Sequence, residues 1–589
     1  MRHLLPLLLL LPGLALGYPV TEKGTFEGGS ATSALTVSTT GRYVITAQRS
    51  SSGLAIWDRL APREEPLLVE VCEAVDAAYT IDPSRGRAVY VACGTNEVVR
   101  VAMSDTDGDL EVSVGDPITV GLESESVVAI EWAENDDMVH VVTSGSSLVT
   151  LHTIDTVDDA VDQYTGLPLQ LTGTPVDLAV APDGGPVLIP RSAGSWVYVN
   201  RSTGVYSGGE NLGITGTAGT IAVDPAGLSD DFIISYPNDS ELWVGTLTSP
   251  ATVPTLFSDE VSSPQAVAFI EESTLPVLFV ANASGTVRVL DETGTTIDSV
   301  ELSSTGSPVA ISPDPTDAGT VFVAGGDGNV QVITDNPWVT ALSASTDTLS
   351  EGGEVTITFS VDEDVDWDLR VDSAYSATSG TSLAMGTAAA DEEVDVVVSA
   401  DDLTNEGANR IVLFAEGSSG TSRDSVEVTL DTPPDGISGV AVSPGDGRLE
   451  LVWTSSDEED IDHFLVYVSD AVFDADSLPT LEVEDEDGET IEYPIEVEAG
   501  EPSSSHSTSL LGLTNGTTYW VAVRPVDAGG LEGPVSSVVS AAPELTCGLV
   551  ECTGDPGCTC SSAAPLRAPG ILALLALGLG LGPLLRRRR

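Results

Sequence analysis

Short runs in which apolar and polar residues alternate recur along most of this chain, and nearly every run ends in a cluster of Gly, Pro, Asn, Asp or Ser. Period-two alternation marks a strand with one buried face, and those residues are turn formers. Between about residue 30 and 335 the runs fall into a repeating group. An apolar strand is followed by a turn near Asp-Pro or Asp-Gly, a second strand rich in Val and aromatics, a polar turn, and a third alternating strand. Ala34-Leu35-Thr36-Val37, Tyr43-Val44-Ile45-Thr46 and Leu54-Ala55-Ile56-Trp57-Asp58 form one copy. Val309-Ala310-Ile311-Ser312-Pro313, Val321-Phe322-Val323-Ala324 and Val330-Gln331-Val332-Ile333 form the last.

Seven copies are found. Val37, Ile81, Trp132, Val180, Val223, Phe269 and Ile311 mark equivalent positions, with a mean step of about 46 residues. A group of three short strands at that step is in the size range of a propeller blade, and seven blades closing into a ring leave no exposed sheet edge. The pattern resembles WD-repeat-like and YVTN-type β-propellers. Trp57-Asp58 matches the dipeptide of the former, but the other copies lack it, so the likeness is to the architecture. A solenoid or a pair of β-sandwiches is the alternative.

Asp335-Asn336-Pro337 ends the repeats. From Trp338 to Thr432 the chain resembles an immunoglobulin-like sandwich, with Val355, Ile357, Phe359 and Val361 alternating on one strand and Ile411 to Ala415 forming a buried later one. Pro433-Pro434-Asp435 opens a stretch to residue 543 that resembles a fibronectin type III domain. Trp453 supplies an early core aromatic, and Leu513, Tyr519, Val521 and Val523 match the late pattern of that family. The resemblance implies that Tyr519 ties a corner through its hydroxyl. An acidic insert, Glu482 to Glu501, departs from the family and reads as a loose, solvated run with room for a cation.

Both ends carry an address. Met1-Arg2-His3 precedes an apolar run, Leu4 to Leu16, with small residues at Ala15 and Gly17; this is a secretory signal peptide over residues 1–17. At the other end, residues 544–565 form a Cys-bearing stalk, and 566–589 an anchor. Ala568 to Leu585 is apolar and spans roughly 27 Å as a helix, and Arg586 to Arg589 would stay on the cytoplasmic side. A short Cys motif, Cys558-Thr559-Cys560, an apolar helix and a terminal Arg cluster together resemble the MYXO-CTERM sorting signal of myxobacteria and their relatives. That resemblance implies a sorting protease, with Cys558 or Cys560 as the processing or modification point. A plain C-terminal transmembrane helix is the alternative. The expected fold class is therefore all-β: a seven-bladed propeller over 18–337, sandwiches over 338–432 and 433–543, and a C-terminal membrane helix.

Composition narrows the function. Lys and Arg number 22 against 91 Asp and Glu, a formal charge of −69, and Lys23 is the one lysine. Such a surface repels nucleic acid, whose recognition needs clustered cations. Solubility in salty surroundings is one reading of the charge; calcium binding or capture of a basic partner is the other. An exported chain favours disulfides, and the expected pairs are Cys72–Cys93 and Cys547–Cys552. Asp105, Asp107 and Asp109 alternate on a turn that looks like part of a calcium loop, although the downstream Glu of such a loop is missing; a solvated turn is the other reading. His140 lies on a strand and reads as structural. No serine elbow, phosphate loop or metal-ligand cluster stands in the chain, and no catalytic residue or cofactor beyond calcium is expected.

Three interaction-type folds without catalytic motifs point to a cell-surface, non-enzymatic binding or adhesion protein with a protein or glycan ligand. An exported propeller enzyme of lactonase or hydrolase type needs carboxylates converging at the ring centre. A structural envelope protein would bind nothing.

Overall fold

The computed structural model describes residues 21–545 except 50–52, 61–64, 105–109, 133–136, 146–148, 165–172, 183–184, 193, 202, 204, 209–215, 224–230, 248–253, 271–276, 304–305, 372–379, 404–405, 459 and 485–488. The signal peptide, most of the stalk and the C-terminal anchor lie outside the described residues. Within them the chain is all-β. Among the described residues the one helical turn is a 3-10 turn at Ala400–Asp402, and no helix there is long and apolar enough to cross a membrane.

Residues 21–334 build seven four-stranded antiparallel sheets. The first sheet runs Thr32–Val37, Tyr43–Gln48, Gly53–Asp58 and Leu67–Glu70 in spatial order; the second runs Ala74–Asp82, Gly86–Cys93, Glu97–Ser104 and Glu111–Thr119. The second strand of a sheet is covered on both faces by its neighbours, so the strands Tyr43–Gln48 and Val277–Asn282 are buried at every position and their sequence loses its alternation. The sequence predicts three strands per repeat, whereas the structure has four. The fourth strands were illegible because they are short or largely exposed: Glu111–Thr119 keeps no buried residue.

The seventh sheet takes its outer strand from the other end of the chain. Pro308–Asp314, Asp317–Gly325 and Val330–Thr334 are completed by Thr21–Phe26, which pairs antiparallel with Val330–Thr334. The first strand of each sheet lies beside the first strands of the sheets before and after it, and Pro308–Asp314 lies beside Thr32–Val37. A bulge near the start of the first strand recurs in the first, second, third, sixth and seventh sheets, as between Ala74 and Asp76 or between Val127 and Ala129. Counting from the bulge, Val37, Trp132 and Phe269 are equivalent, but their counterparts in the second and seventh sheets are Tyr79 and Pro313 rather than Ile81 and Ile311. A slip of two residues keeps every side chain on its own face, so alternation alone could not detect it.

Residues 339–431 form a three-stranded sheet, with strands Val339–Ala344, Glu354–Val361 and Val394–Ser399, facing a five-stranded one. In the latter, Thr348–Ser350 runs parallel to Thr421–Asp431. Val355, Ile357, Phe359 and Val361 from one sheet meet Leu369, Ile411, Leu413 and Val428 from the other in a single core. These residues belong to the same compact unit as the seven sheets, which ends at Asp431.

The second unit, from Thr432, has its own core around Trp453, Phe464, Val466, Tyr519, Val521 and Val523. The Tyr519 hydroxyl accepts a hydrogen bond from the Thr514 amide at 3.1 Å. The acidic insert is not a loose run. Leu481–Glu484 and Thr490–Tyr493 pair as a hairpin, and Ile495–Glu498 adds to the strand Ile461–Ser469. Its acids take every second place, so Glu482, Glu484, Glu492, Glu496 and Glu498 are exposed. Val483, Ile491, Ile495 and Val497 pack on the core between them. The density of charge masked a strand alternation.

Candidate functional site

The first strands of all seven sheets line one cavity of about 700 Å³. The position just after the bulge is small in four sheets, where it is Ala34, Ala129, Ala266 and Ala310. In the second sheet it is Asp76, and Asp177 holds the corresponding place ahead of Ala179–Val180 in the fourth. Both carboxylates line the cavity, as does Glu131 on the first strand of the third sheet. Three neighbouring sheets thus deliver three acids to one space.

Each aspartate reaches to the next sheet. Asp76 Oδ2 accepts from the Ile130 amide at 2.8 Å, and its Oδ1 from the Ala77 amide at 2.8 Å. Asp177 Oδ2 accepts from the Ile221 amide at 2.9 Å, and its Oδ1 from the Leu178 amide at 2.8 Å. Ile130 and Ile221 lie on first strands, which end their sheets and leave amides without a ladder partner on that side. The aspartates fill that need and stitch one sheet to the next.

Charge at these sites is held back. The side chains are half-buried: they open on the cavity, and protein surrounds them elsewhere, so a confined space replaces bulk water. Burial is the main cause that pushes the Asp76 carboxyl up to about 7; the Ile130 amide opposes it and the negative charge of Asp177 adds to it. Burial likewise raises Asp177 to about 6 against the Ile221 and Leu178 amides. Glu131 is raised well above the usual carboxylate range, first by burial and then by Asp76 and Asp177. No cation enters the balance at any of the three. Arg49 also lines the cavity, but its side chain is exposed.

No family model matches this chain, and no curated protein matches it.

The sequence-predicted sites fall elsewhere. Asp105, Asp107 and Asp109 lie outside the described residues, as do Cys547, Cys552, Cys558 and Cys560. Cys72 and Cys93 are joined by a disulfide. Cys93 faces Ala74 across the ladder, directly ahead of the bulge that presents Asp76. His140 is buried, with Nδ1 3.2 Å from the Tyr164 hydroxyl and Nε2 3.3 Å from Arg201. His152 is buried beside Glu125, and neither histidine lines the cavity. Among the described residues, no three His, Cys, Asp or Glu side chains come together closely enough to hold a metal ion.

Asp76, Glu131 and Asp177 were missed by reading motifs. The signal was in the repeats: Val75-Asp76 and Val176-Asp177 place an acid where four other copies have Ala. Chemically, the arrangement can receive a positive group or exchange a proton near neutrality.

Proposed function

We propose that the chain is an exported, surface-held binding protein whose seven sheets form a seven-bladed β-propeller. On this reading residues 338–432 and 433–543 are immunoglobulin-like and fibronectin type III sandwiches, and the tail with Cys558 and Cys560 is a sorting signal that leaves the protein on the cell surface. Its partner is a protein or glycan that offers a cationic group, such as an amine or guanidinium, to the central cavity. The observation that carries the reading is the convergence of Asp76, Glu131 and Asp177 on one cavity of about 700 Å³, where burial and their neighbouring charges raise all three carboxyls and the one cation among the lining residues, Arg49, is exposed. A positive ligand group would relieve their mutual repulsion and replace the hydration they have lost.

The test is calorimetric titration of the exported protein with amino-sugar oligomers, their N-acetylated counterparts and Arg- or Lys-containing peptides. Binding should require the free cation, weaken as pH falls from 8 to 5.5, and be lost in an Asp76→Asn/Asp177→Asn variant. Binding that ignores both substitutions would remove the cavity from the account.

One observation favours a second reading. A carboxyl raised to about 7 suits a general acid or base at neutral pH, as an exported lactonase or hydrolase would need. Turnover of lactone, ester or glycoside substrates that disappears in Asp76→Asn would establish it.

A further inference from the structure

The strand Thr21–Phe26 holds the edge of the seventh sheet, paired on one side only, and it reaches that sheet from the far end of the chain. A six-residue terminal strand with a single partner is the kind of element that frays first. Its ladder is also interrupted: Glu22 faces Ile333 and Gly24 faces Val332, so Lys23 is the extra residue of a bulge. A bulge leaves its residue unpaired and re-aims the side chain. Here the side chain is the one lysine of the protein, and it pairs with Asp362 of the sandwich that follows.

Asp362 is itself fixed. Its Oδ1 accepts from the Trp338 amide at 2.7 Å, and its own amide donates to the Trp338 carbonyl at 3.1 Å. The Trp338 ring lies flush on Gly24, where an added Cβ would stand 2.4 Å from Cζ2. Trp338 also packs against the buried cluster of Phe26, Phe322, Val330 and Val332, which spans the terminal strand and its sheet. Two more fastenings bind the same sandwich to the sheets. The Ser425 hydroxyl donates to the Leu60 carbonyl, and Leu60 is buried against Val412 and Phe414. The Ser419 hydroxyl donates to the Asp335 carbonyl at 2.7 Å.

We propose that residues 338–431 act as a clasp that keeps the N-terminal strand in the seventh sheet, and are not a passive spacer. The proposal rests on the strand pairing and the sandwich contacts alone, so it stands or falls apart from any ligand in the cavity. A charged pair with side chains only 17% and 23% exposed is shielded enough to be directional, and the indole covers the strand at Gly24. Removing the clasp should release the terminal strand before any other part of the seven sheets.

The test is hydrogen exchange by mass spectrometry on the exported protein, comparing the wild type with Asp362→Ala, Gly24→Ala and the milder Lys23→Arg. Gly24→Ala leaves the ion pair but forces the indole away. Exchange over Thr21–Phe26 and Val330–Thr334 should rise by about tenfold in the first two variants, while Tyr43–Gln48 and Val277–Asn282 stay as in the wild type. Lys23→Arg should retain most of the protection. Unchanged exchange in the terminal strand would overturn the proposal, and so would an equal rise in all seven sheets. Should Asp362→Ala fail to fold, Gly24→Ala alone decides between these outcomes.

Discussion

The carboxylates in the cavity make a prediction about stability that differs in sign from the usual behaviour of a paired acid. The Asp76 carboxyl stands at about 7 in the folded chain against 3.8 in a free one. The native state therefore holds a proton over a range in which the unfolded state has lost it, and stability falls as pH rises from about 4 to 7. The stability is present below the unfolded value and is gone above the folded one. Moving the carboxyl that far corresponds to about 4 kcal/mol if burial were complete. Because the side chain opens on the cavity, screening reduces this to about 2 kcal/mol. Asp76→Asn removes the charge at nearly constant shape and keeps an oxygen for the Ile130 amide. It should leave the protein close to wild type at pH 4.5 and stabilise it by about 2 kcal/mol at pH 8. In a unit of this size that is a rise of about 2 °C in the transition of the first unit, read by scanning calorimetry. The overall charge of −69 also favours acid conditions, but it is common to both proteins and drops out of their difference. A variant that is less stable than wild type by the same amount at both pH values would refute the reasoning. It would mean that the ionised carboxylate gains more from the Ile130 amide than it loses by leaving water.

Two further outcomes follow from local structure. Replacing Cys72 and Cys93 by Ser opens a loop of sequence separation 21 and should lower stability by about 3 kcal/mol, seen in the first calorimetric transition and as faster exchange over Ala74–Asp82. Tyr519→Phe removes the hydroxyl that accepts from the Thr514 amide and should lower the second transition only, by about 1 kcal/mol.

Much of the fold was legible because burial writes its period into strands. Thr32–Val37, Pro264–Ile270 and Glu354–Val361 could be placed from alternation and turn residues, and the repeat step set their number. Legibility failed where the physics leaves no such mark. The outer strands have few buried positions to report. The terminal strand pairs with residues more than three hundred positions away, and nothing in TEKGTF names that partner. The hairpin at Leu481–Tyr493 was hidden because its exposed places are almost all Glu, so a count of charge outweighed the order in which the charges stood.

The cavity acids were hidden for a different reason. Among 91 acids, no single Asp stands out, and a chemical motif search looks for mixed residue types at fixed spacing. What distinguishes Asp76 and Asp177 is the company of their repeat position, where Ala34, Ala129, Ala266 and Ala310 show that the place suits a small side chain. An acid there gives up water and is held by two amides that the free edges of the sheets supply. The amides account for one aspartate at a time, but not for bringing two of them and Glu131 to the same space. Asn in either place would keep one oxygen for the amide of the next sheet, without a charge to be desolvated, and would give up the second acceptor that now meets the Ala77 or Leu178 amide. The Asp76→Asn/Asp177→Asn variant separates stitching from the proposed recognition: one oxygen at each place stays for the Ile130 and Ile221 amides, so the sheets should remain joined, while binding of a positive group should be lost.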